Sequence, residues 1–241
     1  MHIIRLALIV AAFIGIAAGP LRAAETPQPQ SDDRVLGDPK APIVIYEFAS
    51  LTCPHCAAFE AETLPKLKTE WIDTGKAKLI LRDYPLDQSA LLAAMVARCA
   101  PPDRFYAFID TLFRSQLNWA QSSDVKGSLA RIAKLGGMTQ AEFDQCVGDQ
   151  KLSDSIINSR LNGQQHYGVD STPTFFIDGK KVVGELPYDE FVKNLNGSAA
   201  NEPQYIGVTT TAAFEPLPAP TPAPGMLDRA RQWLGSFMSR G

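Results

Sequence analysis

The stretch that decides the fold is Ile43-Val44-Ile45-Tyr46-Glu47-Phe48-Ala49-Ser50-Leu51-Thr52-Cys53-Pro54-His55-Cys56. Its first six residues are apolar and β-branched enough to read as a strand, and its last four open a helix. Cys53 falls where an N-cap residue belongs, and Pro54 suits the first helical position, where its missing N–H is no loss. The N–H groups of His55 and Cys56 and the positive end of the helix dipole then face the first sulfur, which favours its thiolate. A stabilised thiolate makes Cys53 the attacking or leaving sulfur. It also stabilises the reduced form, so that a Cys53–Cys56 disulfide is oxidising. His55, when protonated, pushes the same way. Cys56, one turn into the helix, is expected to be more buried and to act as the resolving thiol.

Two other readings of the Cys-x-x-Cys pair are weaker. Half a zinc site needs a second cysteine pair or histidines at ligand spacing. Cys99 and Cys146 stand far apart, and the chain has three histidines. An inert structural disulfide across so tight a loop constrains little unfolded-chain entropy. No metal and no separate cofactor is expected, the redox-active pair Cys53 and Cys56 taking that place.

Outward from this stretch, 241 residues suffice for one or two domains with a proper core. A net charge of −3 and the lack of a Lys/Arg block argue against nucleic acid as a partner. Residues 1–24 read as a signal peptide, with Arg5 as its positive start, Leu6 to Gly19 as its apolar run and Ala23-Ala24 near the cleavage point. An uncleaved anchor is the alternative. Export puts the four cysteines in an oxidising compartment, where disulfides persist. Of the three possible pairings, the one with a self-contained Cys53–Cys56 leaves Cys99 with Cys146.

Residues 25–34, with Pro27 and Pro29, read as a flexible lead-in to a domain over 35–200. The pattern predicts a strand at Ile43 to Phe48, a helix from Cys53 to about Thr74 kinked or interrupted by Pro65, and a strand at Ala77 to Arg82. A helical block follows over about 88–168: Ala90 to Ala100, Asp103 to Arg114, Asp124 to Leu135, a helix opened by the capping-box pair Thr139 and Glu142, and Lys151 to Tyr167, weakened by Gly163. Thr174 to Ile177, the turn Asp178-Gly179 and Lys181 to Val183 form a hairpin, and Tyr188 to Leu195 a closing helix. The fold class is therefore α/β, a mixed central sheet flanked by helices with a large all-helical insertion. Residues 201–225 are a Pro-rich linker, and 226–241 an amphipathic helix that could dock on the domain, lie on a membrane surface or bind a partner.

Thr172-Pro173-Thr174 precedes the returning strand. A cis bond there would fold the chain toward the cysteines and present Thr172 and Pro173 backbone for pairing with an extended peptide, but sequence physics leaves cis and trans open.

Phe48 to Cys56 together with Thr172 to Gly179 resembles the DsbA-like branch of the thioredoxin superfamily, in particular its alphaproteobacterial type, over about Val35 to Leu195. The resemblance implies a thioredoxin fold, Cys53 as surface nucleophile, Cys56 as buried partner and Pro173 as a cis-proline facing them. It also implies a disulfide within the helical domain, here Cys99 with Cys146. Pro54-His55 matches the oxidase pattern, whereas Thr172 departs from the valine frequent there and matches isomerases. For Glu47 the resemblance suggests a buried acid that assists proton transfer at Cys56; a solvent-facing glutamate on an alternating strand is the other reading, with Lys78 as a possible partner.

The expected activity is that of a periplasmic thiol:disulfide oxidoreductase, a dithiol oxidase. It would pass its Cys53–Cys56 disulfide, through a mixed disulfide on Cys53, to unfolded exported proteins with free thiols. Reoxidation would fall to a quinone-linked membrane partner of DsbB type. An isomerase or reductase kept reduced by a membrane donor is the alternative within the same chemistry. A metal-binding or chaperone module is the alternative of another class.

Overall fold

The computed structural model describes residues 25–199. The signal peptide, the Pro-rich linker and the amphipathic helix expected at 1–24, 201–225 and 226–241 lie outside the described residues.

Among the described residues, five strands form one sheet in the order β1-β3-β2-β4-β5: β1 (Val35–Leu36), β2 (Ile43–Ala49), β3 (Ala77–Asp83), β4 (Thr174–Ile177) and β5 (Lys180–Val183). β2 and β3 run parallel, and every other pairing is antiparallel. The parallel pair needs a crossover, and the helix that begins at Pro54 supplies it. β2 is central and covered on both faces, so alternation fails: Ile45, Tyr46, Glu47, Phe48 and Ala49 are all buried.

The crossover helix runs without a break over 54–72. It alternates α1 (Pro54–Ala58) and α2 (Leu64–Leu67) with π-helical turns at Phe59–Thr63 and Lys68–Ile72. The interruption expected at Pro65 is thus absorbed by wider turns on either side, which accommodate a residue with no N–H to give.

The insertion comprises α3 (Gln88–Cys99), a 3₁₀ turn (Pro102–Arg104), α4 (Phe105–Arg114), α5 (Gln116–Ala120), α6 (Val125–Leu135), α7 (Gln140–Gly148) and α8 (Gln150–Gln165). Short α5 and the two-residue β1 carry too little periodicity to be read from sequence. Asp87 caps α3 at Ala90 N, 2.8 Å away. The capping box on α7 forms from both sides, with Glu142 N donating to Thr139 Oγ1 and Thr139 N to Glu142 Oε2. Gly163 is less a weakness than a fit: a Cβ there would lie 3.0 Å from the Phe48 ring, so its absence lets α8 close on β2. The closing helix is α9 (Tyr188–Ala199).

Residues 25–34, expected to be a flexible lead-in, are instead bound to the body of the domain. Buried Arg82 donates to Gln28 O and Asp33 Oδ2, each at 2.8 Å, and Glu25 N donates to His166 O at 3.1 Å. A buried guanidinium needs acceptors, and the lead-in supplies them. Lys78 does not meet Glu47. It stands opposite Val44 in the β2–β3 register and donates its Nζ to Pro39 O, 2.6 Å away.

The core divides around the sheet. Phe59, Leu67, Leu79, Phe175 and Phe191 fill one face, and Tyr46, Phe48, Ile80, Tyr84 and Phe176 the other. The insertion has its own core of Phe105, Ile109, Leu112, Trp119, Leu129 and Phe143, and Cys53 and Cys56 pack into its border. The two cysteines therefore sit at the seam between sheet and insertion.

Candidate active site

β2 delivers the chain to this seam, and Cys53 N donating to Ser50 O at 3.0 Å closes the turn that follows. Cys53 is the N-cap of α1, with φ −79° and ψ 122°, and Pro54 occupies the first turn. Both cysteines are thiols. Cys56 is fully covered, while Cys53 shows 4% of its surface. The surface nucleophile that the resemblance implies is thus an almost wholly buried residue at the seam between sheet and insertion.

The Cys53 thiol is lowered to about 5. The largest cause is hydrogen bonding from the Cys56 thiol; burial works against it, and Thr172 and the backbone N–H groups of Cys56 and His55 add to it. Burial pushes the Cys56 thiol well above its ordinary value, and the hydrogen bond to Cys53 and the charge of Glu47 push it further. The two thiols three residues apart are thereby shifted in opposite directions, the outer one toward the thiolate and the inner one toward the protonated form.

The chain returns to the site at Thr172-Pro173, whose peptide bond is cis. The Cys53 Sγ lies 3.3 Å from Thr172 O. Gly184 N donates to Pro173 O at 2.8 Å, and Thr174 Oγ1 to Ser171 O at 2.7 Å, so strands β4 and β5 hold the loop against the sulfur.

The backbone N–H of His55 favours the Cys53 thiolate; its exposed ring instead lies with Nδ1 3.3 Å from Glu185 Oε2. Glu47 is fully buried, and neither of its oxygens has a hydrogen-bond partner among the described residues. Burial holds its carboxyl well above the usual range, and the charges of Glu60 and Cys53 raise it further. Of the two readings of Glu47, the buried acid is the one the fold produces. Cys99 and Cys146 form a disulfide between α3 and α7.

Two buried polar residues beside the site carry no sequence signal. Glu60, one turn beyond Cys56, looks like any helix-surface glutamate. Yet α4 packs over it, and its carboxyl is raised to about 8, first by burial and then by Asp110, with Arg114 opposing. Gln116, at the start of α5, is buried and donates to Leu51 O and Cys53 O. A cavity of about 530 Å³ runs along this side, lined by Pro54, Ala57, Glu60, Phe113, Gln116 and Leu117 among others.

The Thioredoxin family profile matches residues 30–196. The crystal structure of Wolbachia pipientis alpha-DsbA1 superposes with a TM-score of 0.67 and 36% identity, over 71% of this chain and 94% of that one. The chain belongs to the DsbA-like branch of the thioredoxin family. BdbD of Bacillus subtilis, in its oxidised form, also matches this DsbA-like chain, with a TM-score of 0.64 and 25% identity over 74% of this chain and 99% of that one. A Rickettsia felis protein bearing the name protein-disulfide oxidoreductase is 34% identical over 152 residues, 61% of this chain. The match spans about half of that relative, 54% of its length. The DsbA-like fold, with a mixed sheet and a helical insertion, is the one expected from the sequence.

Proposed function

We propose that the protein is a thiol:disulfide oxidoreductase acting as a dithiol oxidase on exported proteins. The observation that carries this reading is the placing of the Cys53 sulfur at the N-terminus of α1, beside buried Cys56 and 3.3 Å from the carbonyl of Thr172 next to Pro173.

In the oxidised enzyme, a substrate thiolate attacks Cys53 Sγ. A sulfur–sulfur bond to the substrate forms, the Cys53–Cys56 bond breaks, and Cys56 departs with the electron pair. Its raised proton affinity means that it takes up a proton, and buried Glu47, whose carboxyl is also raised, is the acid that supplies one. A second substrate thiolate then attacks the substrate sulfur of the mixed disulfide and expels Cys53 as a thiolate. Two electrons pass from the substrate dithiol to the enzyme. Of the two protons released, one ends on Cys56 and the other in solvent. An extended substrate pairs with the backbone at Thr172 and Pro173, which orients its sulfur without demanding a sequence. His55 and Pro54 shape the rim.

Cys99–Cys146 serves as a staple of the insertion and takes no electrons from substrate. Export by the leader at 1–24 places the enzyme in the periplasm, and a quinone-linked membrane protein of DsbB type reoxidises it. The redox pair itself serves in place of a cofactor. Threonine at position 172 favours isomerisation as the second reading.

The test is equilibration of the Cys53–Cys56 couple with glutathione, combined with assays on a reduced and on a scrambled-disulfide protein. An oxidase gives a potential nearer the roughly −120 mV of DsbA than the roughly −270 mV of thioredoxin, and acts on the reduced protein. A thioredoxin-like potential with action only on the scrambled protein refutes it.

A further inference from the structure

Gln116 belongs to the helical insertion, yet both hydrogens of its side-chain amide are spent on the active-site turn. Nε2 donates to Leu51 O at 2.9 Å and to Cys53 O at 3.0 Å. The residue is buried, so these bonds are shielded from water. They land on the carbonyls that flank Thr52 and Cys53, the two residues leading into α1.

The second bond matters most. The peptide between Cys53 and Pro54 has no N–H, because Pro54 cannot supply one. The orientation of that peptide is therefore anchored through its carbonyl alone. Two donors hold it: Ala57 N at 3.2 Å, the first bond of the helix itself, and Gln116 Nε2. That orientation is the ψ of Cys53, which determines whether the sulfur lies over the amides of His55 and Cys56. The Cys53 side chain itself makes no N-capping hydrogen bond within the described residues, so the residue is held at the helix start through its backbone. The first bond, to Leu51 O, pins the preceding half of the turn.

We propose that Gln116 is a positioning residue for thiol–disulfide exchange, through which the helical insertion holds the Cys53–Pro54 peptide and keeps the Cys53 sulfur on the amides at the start of α1. The inference rests on the oxidoreductase reading and deepens it. The insertion then does more than roof the site, since it contributes to the stability of the thiolate and so to the oxidising strength of the disulfide.

The test uses the full chain and Gln116→Met, which keeps the length of the side chain and removes both donors. Ile156→Val, on α8 in the insertion core and away from the turn, is the control for a plain loss of packing. Thiolate absorbance is followed against pH in the reduced proteins, and each is equilibrated with glutathione. The other titratable groups around the sulfur are Cys56 and Glu47 and, one residue along, His55 with its partner Glu185; all are unchanged in both variants. In Gln116→Met the Cys53 midpoint is expected to rise by about one pH unit, with the equilibrium constant for oxidising glutathione falling about tenfold in step. Ile156→Val is expected to shift neither. Should Gln116→Met fail to fold, Gln116→Asn carries the same test, because its amide stops one methylene short of the carbonyls. A folded variant whose midpoint and equilibrium constant match the unaltered protein overturns the role of Gln116. An unaltered protein that does not exchange with glutathione overturns the oxidoreductase reading instead, so the two failures are distinct.

Discussion

Replacing Cys53 with serine in the reduced protein removes one ionisable group from the end of α1 and changes little else. The thiol has an ordinary value of 9.0 and is lowered to about 5 in the fold. A depressed value means that the folded protein holds the anion more firmly than the unfolded chain does. The resulting stability is complete above about pH 9 and disappears as pH falls through about 5. At pH 7 the folded thiol is ionised and the unfolded one is not. Two pH units separate pH 7 from the folded midpoint, which at about 1.4 kcal/mol per unit is just under 3 kcal/mol; partial solvent screening reduces this to about 2 kcal/mol. Glu47 and Glu60 act oppositely, since burial raises both carboxyls and their contribution is lost as pH rises from the ordinary carboxylate range. Both remain in Cys53→Ser, so the difference between the two proteins reports the thiolate together with the rise its charge imposes on Glu47 and Cys56. Urea unfolding under reducing conditions at pH 5, 6, 7 and 8 should give a difference near zero at the lowest pH and growing steadily above it. Thiolate absorbance in the ultraviolet should appear with the same midpoint. A flat difference across this range, with absorbance rising only near the value of free cysteine, would refute the capped-thiolate account and with it the oxidising character of the pair.

Glu47→Gln keeps the shape of a buried carboxyl that has no partner and removes its charge; the variant should gain stability over the unaltered protein as pH rises from 5 to 8, measured by urea unfolding, while thiol exchange at Cys56 slows. Cys99→Ser with Cys146→Ser opens a cross-link between residues 47 apart, a loss of about 4 kcal/mol in the chain-entropy account, read as a lower midpoint in denaturant under oxidising conditions. Asp33→Ala leaves Arg82 short of its carboxylate in a buried setting and should cost about 3 kcal/mol in the same assay. Gly163→Ala places a methyl 3.0 Å from the Phe48 ring and should cost about 1–3 kcal/mol, with thermal unfolding as the check.

What could be read in the chain before folding was whatever depends on neighbours in sequence. Cys53 as N-cap and Pro54 in the first turn follow from local backbone rules, as do the Thr139–Glu142 capping box and the Asp178-Gly179 hairpin. The order of strands and helices follows from periodicity over short windows, and the DsbA-like resemblance rests on two such local motifs. The readings that failed each depended on a partner far along the chain. Residues 25–34 looked flexible because Arg82, which holds them, lies some fifty positions on. Lys78 was matched to Glu47 because strand register is invisible from one strand alone. Gly163 looked like a defect because the Phe48 ring it admits is on another element.

The site divides in the same way. The two sulfurs and the helix dipole beneath them were legible from four consecutive residues, since capping acts within a single turn of backbone. The isomer at Thr172-Pro173, the burial of Glu47 and Glu60 and the grip of Gln116 on the turn were decided only in three dimensions. Each is a matter of which groups lose water and which dipoles come within bonding distance, and both depend on chain segments brought together from a distance.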